Sequence, residues 1–387
     1  MSVVAATGFS ASGVVAGIKP DGAPDFALVV GPEGTQGAAV FTTNRAPAAP
    51  VVVSRQHVAA GPAVRGVVVN SGCANAGTGG PGEAVALATA ADIAIALGCD
   101  VDEVIVCSTG PIGTRLDEAA VSRGIKLAVQ DLGAGEAAGR AAAVAIMTTD
   151  SVPKEAVVAG DGFVIGGMAK GAGMIRPDMA TMLAVLTTDA VVDPATLGST
   201  LRQAVDTSFN SLNIDGCQST NDTVVLLSSS KSGTIVEESE LLHAAEAVCR
   251  DLAAQIAADA EGATRVVHII VQGAKDAAEA RLLGKVVADS VLVRASFYGG
   301  DPNWGRILAA LGAAPIEVDP ELVAVAYEDV EVSRRGVTVD CEGEELAHKL
   351  ATGDFSVTIA VGSGPGSAEI LTTDLTPEYV RFNGLRT

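Results

Sequence analysis

Short runs of β-branched residues alternate along the chain with alanine-rich segments of helical periodicity, and this alternation constrains the fold more than any other feature. Residues 66–70 are predicted to form a strand, residues 83–97 a helix ended by Gly98, and residues 103–107 a second strand. Hydrophobic residues make up 48% of the chain and aromatic residues only 3%. We therefore expect a core of Ala, Val, Leu and Ile, whose small side chains allow helices to pack closely on a sheet.

The pattern continues through the rest of the chain and predicts the α/β or α+β class. Further helices are expected at residues 118–132, 136–146, 194–207, 238–258 and 275–289, and further strands at 182–186, 265–272, 322–327, 355–361 and 368–373. At 387 residues, the chain is long enough for two domains or for one large layered domain.

The composition excludes several classes of protein. A formal charge of -21 argues against nucleic acid or an anionic membrane surface as a partner, because both would be repelled. The six cysteines contain no Cys-x-x-Cys pair and the four histidines show no metal-ligand spacing. The sequence has no run of about 20 apolar residues and no signal-peptide pattern at its start. We expect a cytoplasmic protein without a metal and without a nucleic-acid or membrane partner.

A glycine-rich stretch occupies the middle of the chain. Residues 157–177 contain six glycines and are predicted to form a flexible connection. The stretch lacks the Gly-Lys-Ser/Thr of a P-loop and the spacing of a dinucleotide fingerprint, so a bound nucleotide is not expected. Soon after it, Thr181 opens an apolar segment.

Thr181 has two interpretations. It either opens a buried strand, as its β propensity favours, or acts as a nucleophile. If the bond between Ala180 and Thr181 were cut, the new α-amine, with a pKa of roughly 7.7 to 8.0, would lie beside the hydroxyl whose proton it has to accept. One cleavage would thus create both the nucleophile and its base.

Seven blocks of sequence resemble, in the same order, segments of the glutamate N-acetyltransferase/ornithine acetyltransferase family. They are residues 70–76, 107–113, 145–150, 168–183, 214–223, 261–264 and 301–306. The fourth block contains the Ala-Thr-Met-Leu motif, whose threonine becomes the N-terminal nucleophile of a second chain in that family. The resemblance covers nearly the whole sequence.

The resemblance implies a self-processing enzyme. It implies autocatalytic cleavage between Ala180 and Thr181, which gives an α chain of residues 1–180 and a β chain of residues 181–387 that both contribute to one active site. The implied fold is the layered α/β/β/α sandwich of the self-processing aminopeptidases. The implied assembly is a heterotetramer of two α and two β chains.

The resemblance also assigns roles to residues that look ordinary by themselves. Thr109 and Gly110, which residue type alone places in a plain turn, become the oxyanion hole. The implied substrate contacts are Thr148, Lys170, Thr181, Glu261, Asn383 and Thr387. Among these, the Lys170 cation suits an α-carboxylate and the Glu261 carboxylate suits an ammonium group, although a surface lysine and a solvated acid are the plain interpretations.

The implied reaction moves the acetyl group from N2-acetyl-L-ornithine to L-glutamate in arginine biosynthesis, by a ping-pong route without a cofactor. Some members of the family also acetylate glutamate from acetyl-CoA, and the sequence leaves this second activity open. Two alternatives stay open as well. One is an N-terminal nucleophile amidohydrolase or aminopeptidase on the same scaffold, and the other is a non-catalytic binding or assembly protein.

Overall fold

The structure is a computed structural model that describes residues 2–176, 182–340 and 343–384. The strands are β1 (Ser10–Val14), β2 (Phe26–Val30), β3 (Gln36–Phe41), β4 (Gly66–Ser71), β5 (Val104–Thr109), β6 (Lys154–Ala159), β7 (Val164–Lys170), β8 (Leu183–Thr188), β9 (Leu212–Asn213), β10 (Thr223–Ser228), β11 (Val266–Ala274), β12 (Ala324–Tyr327), β13 (Val330–Arg334), β14 (Val337–Thr338), β15 (Phe355–Ala360) and β16 (Gly366–Thr373). The helices are α1 (Ala49–Ala60), α2 (Gly79–Leu97), α3 (Glu118–Gln130), α4 (Glu136–Ala145), α5 (Pro194–Asp206), α6 (Glu238–Ala258), α7 (Ala277–Asp289), α8 (Val291–Gly299), α9 (Trp304–Gly312), α10 (Gly343–Leu350) and α11 (Pro377–Gly384).

The described residues divide into two compact units. The first contains residues 2–171, 182–210 and 218–256, and the second contains residues 172–176, 211–217, 257–340 and 343–384. Each unit therefore combines segments from both sides of position 181. The predicted boundary between residues 180 and 181 lies outside the described residues and stays a prediction.

Two sheets pack face to face in the first unit. One has the strand order β1-β2-β4-β5 and the other has the order β3-β10-β8-β7-β6. Their facing side chains form one buried core, which includes Val29, Val67, Ile105, Met168, Val185 and Val225. Strands β4, β8 and β10 are buried on both faces, which explains why their sequences are nearly continuous apolar runs.

Helices cover the outer faces of these two sheets. Ile93 of α2 and Ile125 of α3 pack in one cluster with Val68 of β4. On the other sheet, α5 contacts β3 and β10, and Val248 of α6 lies close to Gly167 of β7. The first unit is thus a helix–sheet–sheet–helix sandwich, which confirms the predicted mixed α/β class and layering.

Local signals set the helix starts. The Asp193 side chain caps α5 by accepting hydrogen bonds from the Ala195 and Thr196 N–H groups, and Pro194 occupies the first turn.

Helix α2, with a mean hydropathy of 1.3, is long and apolar enough to span a membrane. A single helix of this kind is weak evidence for a span, because core helices of soluble proteins meet the same criteria.

The second unit contains a seven-stranded sheet with the order β14-β13-β12-β15-β11-β16-β9. Helix α7 packs on β11 and β16, and its residues Leu283 and Val287 share a core with Ile269 and Ile370. Phe355 adds an edge-to-face contact with Phe297, at 5.6 Å between ring centroids.

The prediction of a flexible connection across residues 157–177 is wrong, because β6 and β7 occupy much of this stretch. Its glycines serve close packing. A Cβ on Gly166 would lie 2.3 Å from the Ser2 carbonyl oxygen, and a Cβ on Gly167 would lie 2.6 Å from Leu186 Cδ2. The backbone therefore excludes a side chain at Gly166, whereas a side chain at Gly167 would have to displace that of Leu186.

Candidate active site

The carboxyl ends of β4 and β5 lie side by side at one edge of their sheet, because the two strands are parallel. Strand β5 ends at Thr109, and Gly110 follows with a φ of 139°, a conformation that favours glycine. The Thr109 carbonyl accepts a hydrogen bond from the Cys73 N–H at 3.1 Å. The turn after β5 is therefore fixed against the turn after β4.

Buried side chains hold this turn further. Asn221 Nδ2 donates to the Ser108 carbonyl at 2.9 Å and to the Ala74 carbonyl at 2.6 Å. Ser108 Oγ donates to Asn70 Oδ1 at 2.6 Å, and Asn70 Nδ2 donates to the Cys73 carbonyl at 2.9 Å. Because these bonds fix the backbone before any ligand arrives, the turn is preorganised, which is what an oxyanion hole requires.

Lys170 ends β7 and is 9% exposed, so the plain interpretation as a surface lysine is wrong. Its Nζ donates to Thr109 Oγ1 at 3.1 Å. In the sheet register, Lys170 pairs with Leu183, which lies two residues after Thr181 in the sequence. The ammonium group thus contacts a predicted oxyanion residue.

Asp150 connects two of the predicted substrate-binding segments. Its Oδ2 accepts the Thr148 N–H at 2.9 Å, and its Oδ1 accepts the Gly171 N–H at 2.6 Å. The same Oδ1 accepts a hydrogen bond from Lys154 Nζ at 2.7 Å, and the side chains of this ion pair are fully buried. Asp150 therefore holds the Thr148 backbone and the residue that follows Lys170.

Electrostatics keep Asp150 ionised. Burial alone would raise the pKa of this carboxyl, but the positive charges of Lys170 and Lys154 and the hydrogen bonds from Lys154 and Thr148 lower it to about 2. The site therefore carries a buried carboxylate at neutral pH, balanced by two ammonium groups.

A second buried carboxyl has the opposite behaviour. Asp222 directly precedes β10, and its Oδ2 makes no hydrogen bond within the described part of the chain. Burial raises the pKa of Asp222 well above its ordinary value, against smaller opposing effects from Ser219 and Lys170. The environment thus favours the protonated acid at this position.

In the second unit, the structure brings Glu261 and Asn383 together. Asn383 Nδ2, on α11, donates to Glu261 Oε2 at 3.0 Å, and the Glu261 N–H donates to the Ala172 carbonyl at 2.8 Å. Gly173 lies against this carboxylate, because an added Cβ would be 2.3 Å from Glu261 Oε2. The pair presents a half-buried carboxylate that an amide orients.

The predicted site residues fall into three groups according to where they lie. The first unit holds Thr109, Gly110, Thr148 and Lys170, which are linked through hydrogen bonds and through Asp150. The second unit holds Glu261 and Asn383, which contact each other. Ala180, Thr181 and Thr387 lie outside the described residues. In the described ranges, no group of three or more His, Cys, Asp or Glu side chains is arranged to hold a metal.

Residue-by-residue reasoning missed the buried polar residues around the turn after β5 and around Lys170. They are Asn70, Asp150, Lys154, Asn221 and Asp222. All except Lys154 lie inside blocks that resemble the acetyltransferase family, so the signal was present in the sequence. What the sequence lacked was any indication that these blocks meet in space.

Comparison with known proteins agrees with the resemblance. Residues 10–386 match the ArgJ family. The arginine biosynthesis bifunctional protein ArgJ of Thermobifida fusca (strain YX) is 47% identical over 385 residues, which cover 99% of this chain and 99% of that protein. The protein of the same name from Mycobacterium tuberculosis (strain ATCC 25618 / H37Rv) is 46% identical over 389 residues, which cover 98% of this chain and 95% of that protein.

Among solved structures, ornithine acetyltransferase of Mycobacterium tuberculosis, complexed with ornithine, is 45% identical. Its alignment covers 46% of this chain and 96% of that one, with a TM-score of 0.45. Both relatives are named as arginine biosynthesis proteins, which agrees with the predicted pathway and does not support the aminopeptidase alternative. Because the family match extends over nearly the full length and the relatives are similar from end to end, this chain belongs to the ArgJ family.

Proposed function

We propose that this acyltransferase of the ArgJ family cuts itself between Ala180 and Thr181 and then moves the acetyl group of N2-acetyl-L-ornithine to L-glutamate in arginine biosynthesis. The observation that carries the proposal is the contact of Lys170 Nζ with Thr109 Oγ1, at 3.1 Å, beside the preorganised turn at Gly110. A cation and fixed backbone donors together suit a reaction that develops negative charge on an acyl oxygen.

The proposed cleavage is an N-to-O acyl shift. Thr181 Oγ attacks the carbonyl carbon of Ala180, the peptide nitrogen leaves with the hydroxyl proton, and an ester joins the two chains. Water then attacks the ester, which gives the carboxylate of Ala180 and frees the hydroxyl of Thr181, whose α-amine is already free after the shift. The two groups needed for catalysis are thereby created together.

The proposed transfer repeats this chemistry on the substrate. Thr181 Oγ attacks the acetyl carbonyl, its α-amine takes the hydroxyl proton and passes it to the departing ornithine nitrogen, and an acetyl-threonine ester remains. The glutamate amine attacks this ester in the second half-reaction. We assign the N–H of Gly110 and the Thr109 residue to the oxyanion in both steps, where each donor contributes about 3 to 4 kcal/mol.

Charge supports the proposed substrate contacts. The Lys170 ammonium, with Thr148 nearby through Asp150, suits the α-carboxylate of an amino acid. Glu261, oriented by Asn383, suits the side-chain ammonium of ornithine. Thr387 is proposed as a further contact, on sequence grounds alone.

The two chains are expected to stay together after the cut. Strand β8, which follows Thr181, pairs with β7 of the first chain along its whole length and with β10 on its other side. This backbone pairing does not require the peptide bond at position 181. We propose a cytoplasmic heterotetramer of two α and two β chains, with no cofactor and with acetyl-CoA as a second acetyl donor to be tested.

Acetyl transfer from acetylornithine and from acetyl-CoA, each with and without glutamate, tests this proposal. The expected result is acetylglutamate formed from acetylornithine, in amounts that match the ornithine released. Release of free acetate at the same rate without glutamate would replace the transferase with a hydrolase.

Replacement of Gly110 by alanine is expected to lower kcat for acetyl transfer by about a hundredfold or more. The loss of one oxyanion donor lowers kcat by a similar factor in other enzymes. An added Cβ would lie 2.5 Å from the Cys73 nitrogen and 2.6 Å from the Gly72 carbonyl carbon, so the turn must move. Gly113→Ala is the matched control, because Gly113 also has a positive φ, of 86°, but an added Cβ has open space. Equal losses in both variants would argue against a role for the turn.

Replacement of Gly173 by alanine is expected to raise KM for acetylornithine about tenfold, since a lost charge-assisted contact is worth roughly 1.5 kcal/mol. The new Cβ would displace the end of the Glu261 side chain, which can rotate away without unfolding the unit. The measurement uses the cleaved protein, with Gly312→Ala as a control in open space. An unchanged KM would remove Glu261 from the substrate site.

A further inference from the structure

Five residues shortly before the proposed cleavage position, Ala172–Arg176, belong to the second unit. We call them the 172–176 segment. All other described residues of this unit, 211–217 and 257–384 apart from 341–342, come after position 181 in the sequence. After a cut between Ala180 and Thr181, the 172–176 segment would belong to the first chain, and every residue that holds it in this unit would belong to the second.

Asp215 binds the backbone of the segment. Its Oδ2 accepts the Met174 N–H at 2.6 Å, and its Oδ1 accepts the Ile175 N–H at 2.9 Å. The Ile175 carbonyl accepts a hydrogen bond from the Ile214 N–H at 2.6 Å. Both N–H and C=O groups of the segment's backbone are therefore hydrogen-bonded. Met174 has a φ of 56°, which residues other than glycine rarely adopt, and the carboxylate therefore stabilises a bend of intrinsically low population.

Other groups fix the Asp215 side chain itself. The Cys217 N–H donates to Oδ1 at 3.0 Å, and the Tyr379 hydroxyl donates to Oδ2 at 3.3 Å. Both oxygens therefore have partners besides the segment, and the carboxylate has little freedom to turn away. This makes Asp215 a rigid support for the bend.

Asp289, the last residue of α7, holds the end of the segment. Arg176 Nε donates to Oδ1 at 2.9 Å and its Nη2 donates to Oδ2 at 3.0 Å, which is the two-pronged geometry that arginine forms with a carboxylate. Asn213 Nδ2 donates to the same Oδ1 at 2.8 Å and orients the acid. The pair is about one-third exposed, so its contribution is smaller than that of Asp215.

The segment lies close to the proposed scissile bond along the chain. Arg176 precedes Ala180 by four residues, a stretch that spans at most about 14 Å when fully extended. Fixing Arg176 therefore limits where the Ala180 carbonyl can lie. Cleavage requires one bent arrangement of the peptide bond, and restricting the chain that leads into it lowers the entropy lost on reaching that arrangement.

We propose that Asp215 and Asp289 are positioning residues for self-cleavage, because they fix the 172–176 segment from which the chain runs to the bond between Ala180 and Thr181. The inference rests on the proposed self-cleavage. Neither acid takes part in the later acetyl transfer. The same bonds anchor the end of the first chain once the cut is made.

The test measures the rate at which the full-length chain is cleaved after cell-free translation, from gel samples taken over time. Asp215→Asn is expected to slow cleavage about tenfold, the factor given by 1.4 kcal/mol, because an amide keeps only one acceptor oxygen. Asp289→Asn and Arg176→Ala are each expected to slow it about fivefold, as the loss of a pair that is about one-third exposed predicts. Asp329→Asn, at an exposed position in the same unit, should cleave as fast as the unchanged chain.

A double variant and a second readout separate positioning from loss of folding. Arg176→Ala with Asp289→Asn should be no slower than either single change, because the two residues act as one pair. Once fully cleaved, all variants should show the turnover of the unchanged protein per cleaved chain. This result is not expected if the acids only support the fold.

Three outcomes contradict the inference in different ways. If the unchanged chain stays intact, self-cleavage fails and the inference fails with it. If the unchanged chain is cut and the Asp215 and Asp289 variants are cut at the same rate, only the inference is overturned. If Asp329→Asn slows cleavage equally, the effect is a general one of charge and the positioning role is also overturned.

Discussion

Replacing Thr181 with alanine should leave one polypeptide of 38.6 kDa and abolish acetyl transfer. The expected loss of activity is at least about a millionfold, comparable to the removal of a nucleophile in enzymes that form an acyl intermediate. The physical reason is that one side chain has three tasks in the proposal. It cuts the chain, it carries the acetyl group, and its α-amine, which exists only after the cut, accepts the proton. Gel electrophoresis and the transfer assay measure both effects.

Thr181→Ser is the matched control, because serine keeps a hydroxyl at the same atom. It should retain cleavage and transfer, at reduced rates. Two bands from Thr181→Ala would show that another residue cuts the chain. An uncut Thr181→Ala chain with normal transfer would separate the two activities and contradict the assignment of the nucleophile.

Replacing Lys154 with methionine should destabilise the folded protein by about 3 to 5 kcal/mol, the typical cost of leaving one member of a buried ion pair without its partner. Lys154 and Asp150 are 2.7 Å apart and both side chains are fully buried. Asp150 also holds the Thr148 and Gly171 N–H groups, so the loss affects the backbone near Lys170. Urea unfolding in the Thr181→Ala background measures the effect on a single chain.

The pH dependence of this loss has a defined sign. The pKa of Asp150 is lowered from its ordinary value of 3.8 to about 2, so the ion pair stabilises the fold above pH 3.8. The stabilisation disappears as the pH falls toward 2, and the difference between the two proteins should shrink over the same range. Arg334→Met is the control, because its ion pair with Glu331 is exposed and its loss should change the stability little. A loss below 1 kcal/mol for Lys154→Met would contradict this account.

The strongest periodic segments of the sequence predict the helices and strands well. The 238–258 prediction has the same bounds as α6, and the 194–207 prediction exceeds α5 by one residue. The elements that escaped prediction are short or lack amphipathic alternation. Strand β10, for example, is buried on both faces, and its six residues give no periodic signal.

The glycine-rich stretch shows why local reasoning failed at one point. Glycine usually indicates a turn, because it favours unusual backbone angles and adds flexibility. In β7, however, Gly166 and Gly167 have extended strand conformation, and their lack of a side chain allows the Ser2 backbone and Leu186 to approach. This reason depends on the tertiary packing, which no local pattern contains.

The candidate site likewise has residues that the sequence selects and residues that only the fold reveals. Residue types and family resemblance select Thr109, Gly110 and Lys170, and the structure brings these together. The supports, Asp150 and Asn221, are ordinary polar residues in the sequence, and only the fold reveals that they bond to the backbone on which the site is built. Their positions follow from long-range contacts, between residues separated by 21 and 113 positions.

Mass spectrometry of the purified protein, before and after mixing with N2-acetylornithine in the absence of glutamate, tests the central claim most directly. The account predicts two chains, residues 1–180 and 181–387, and an added acetyl group on Thr181 of the second chain that disappears when glutamate is supplied. An intact chain that transfers acetyl, or an acetyl group on any other residue, would contradict it.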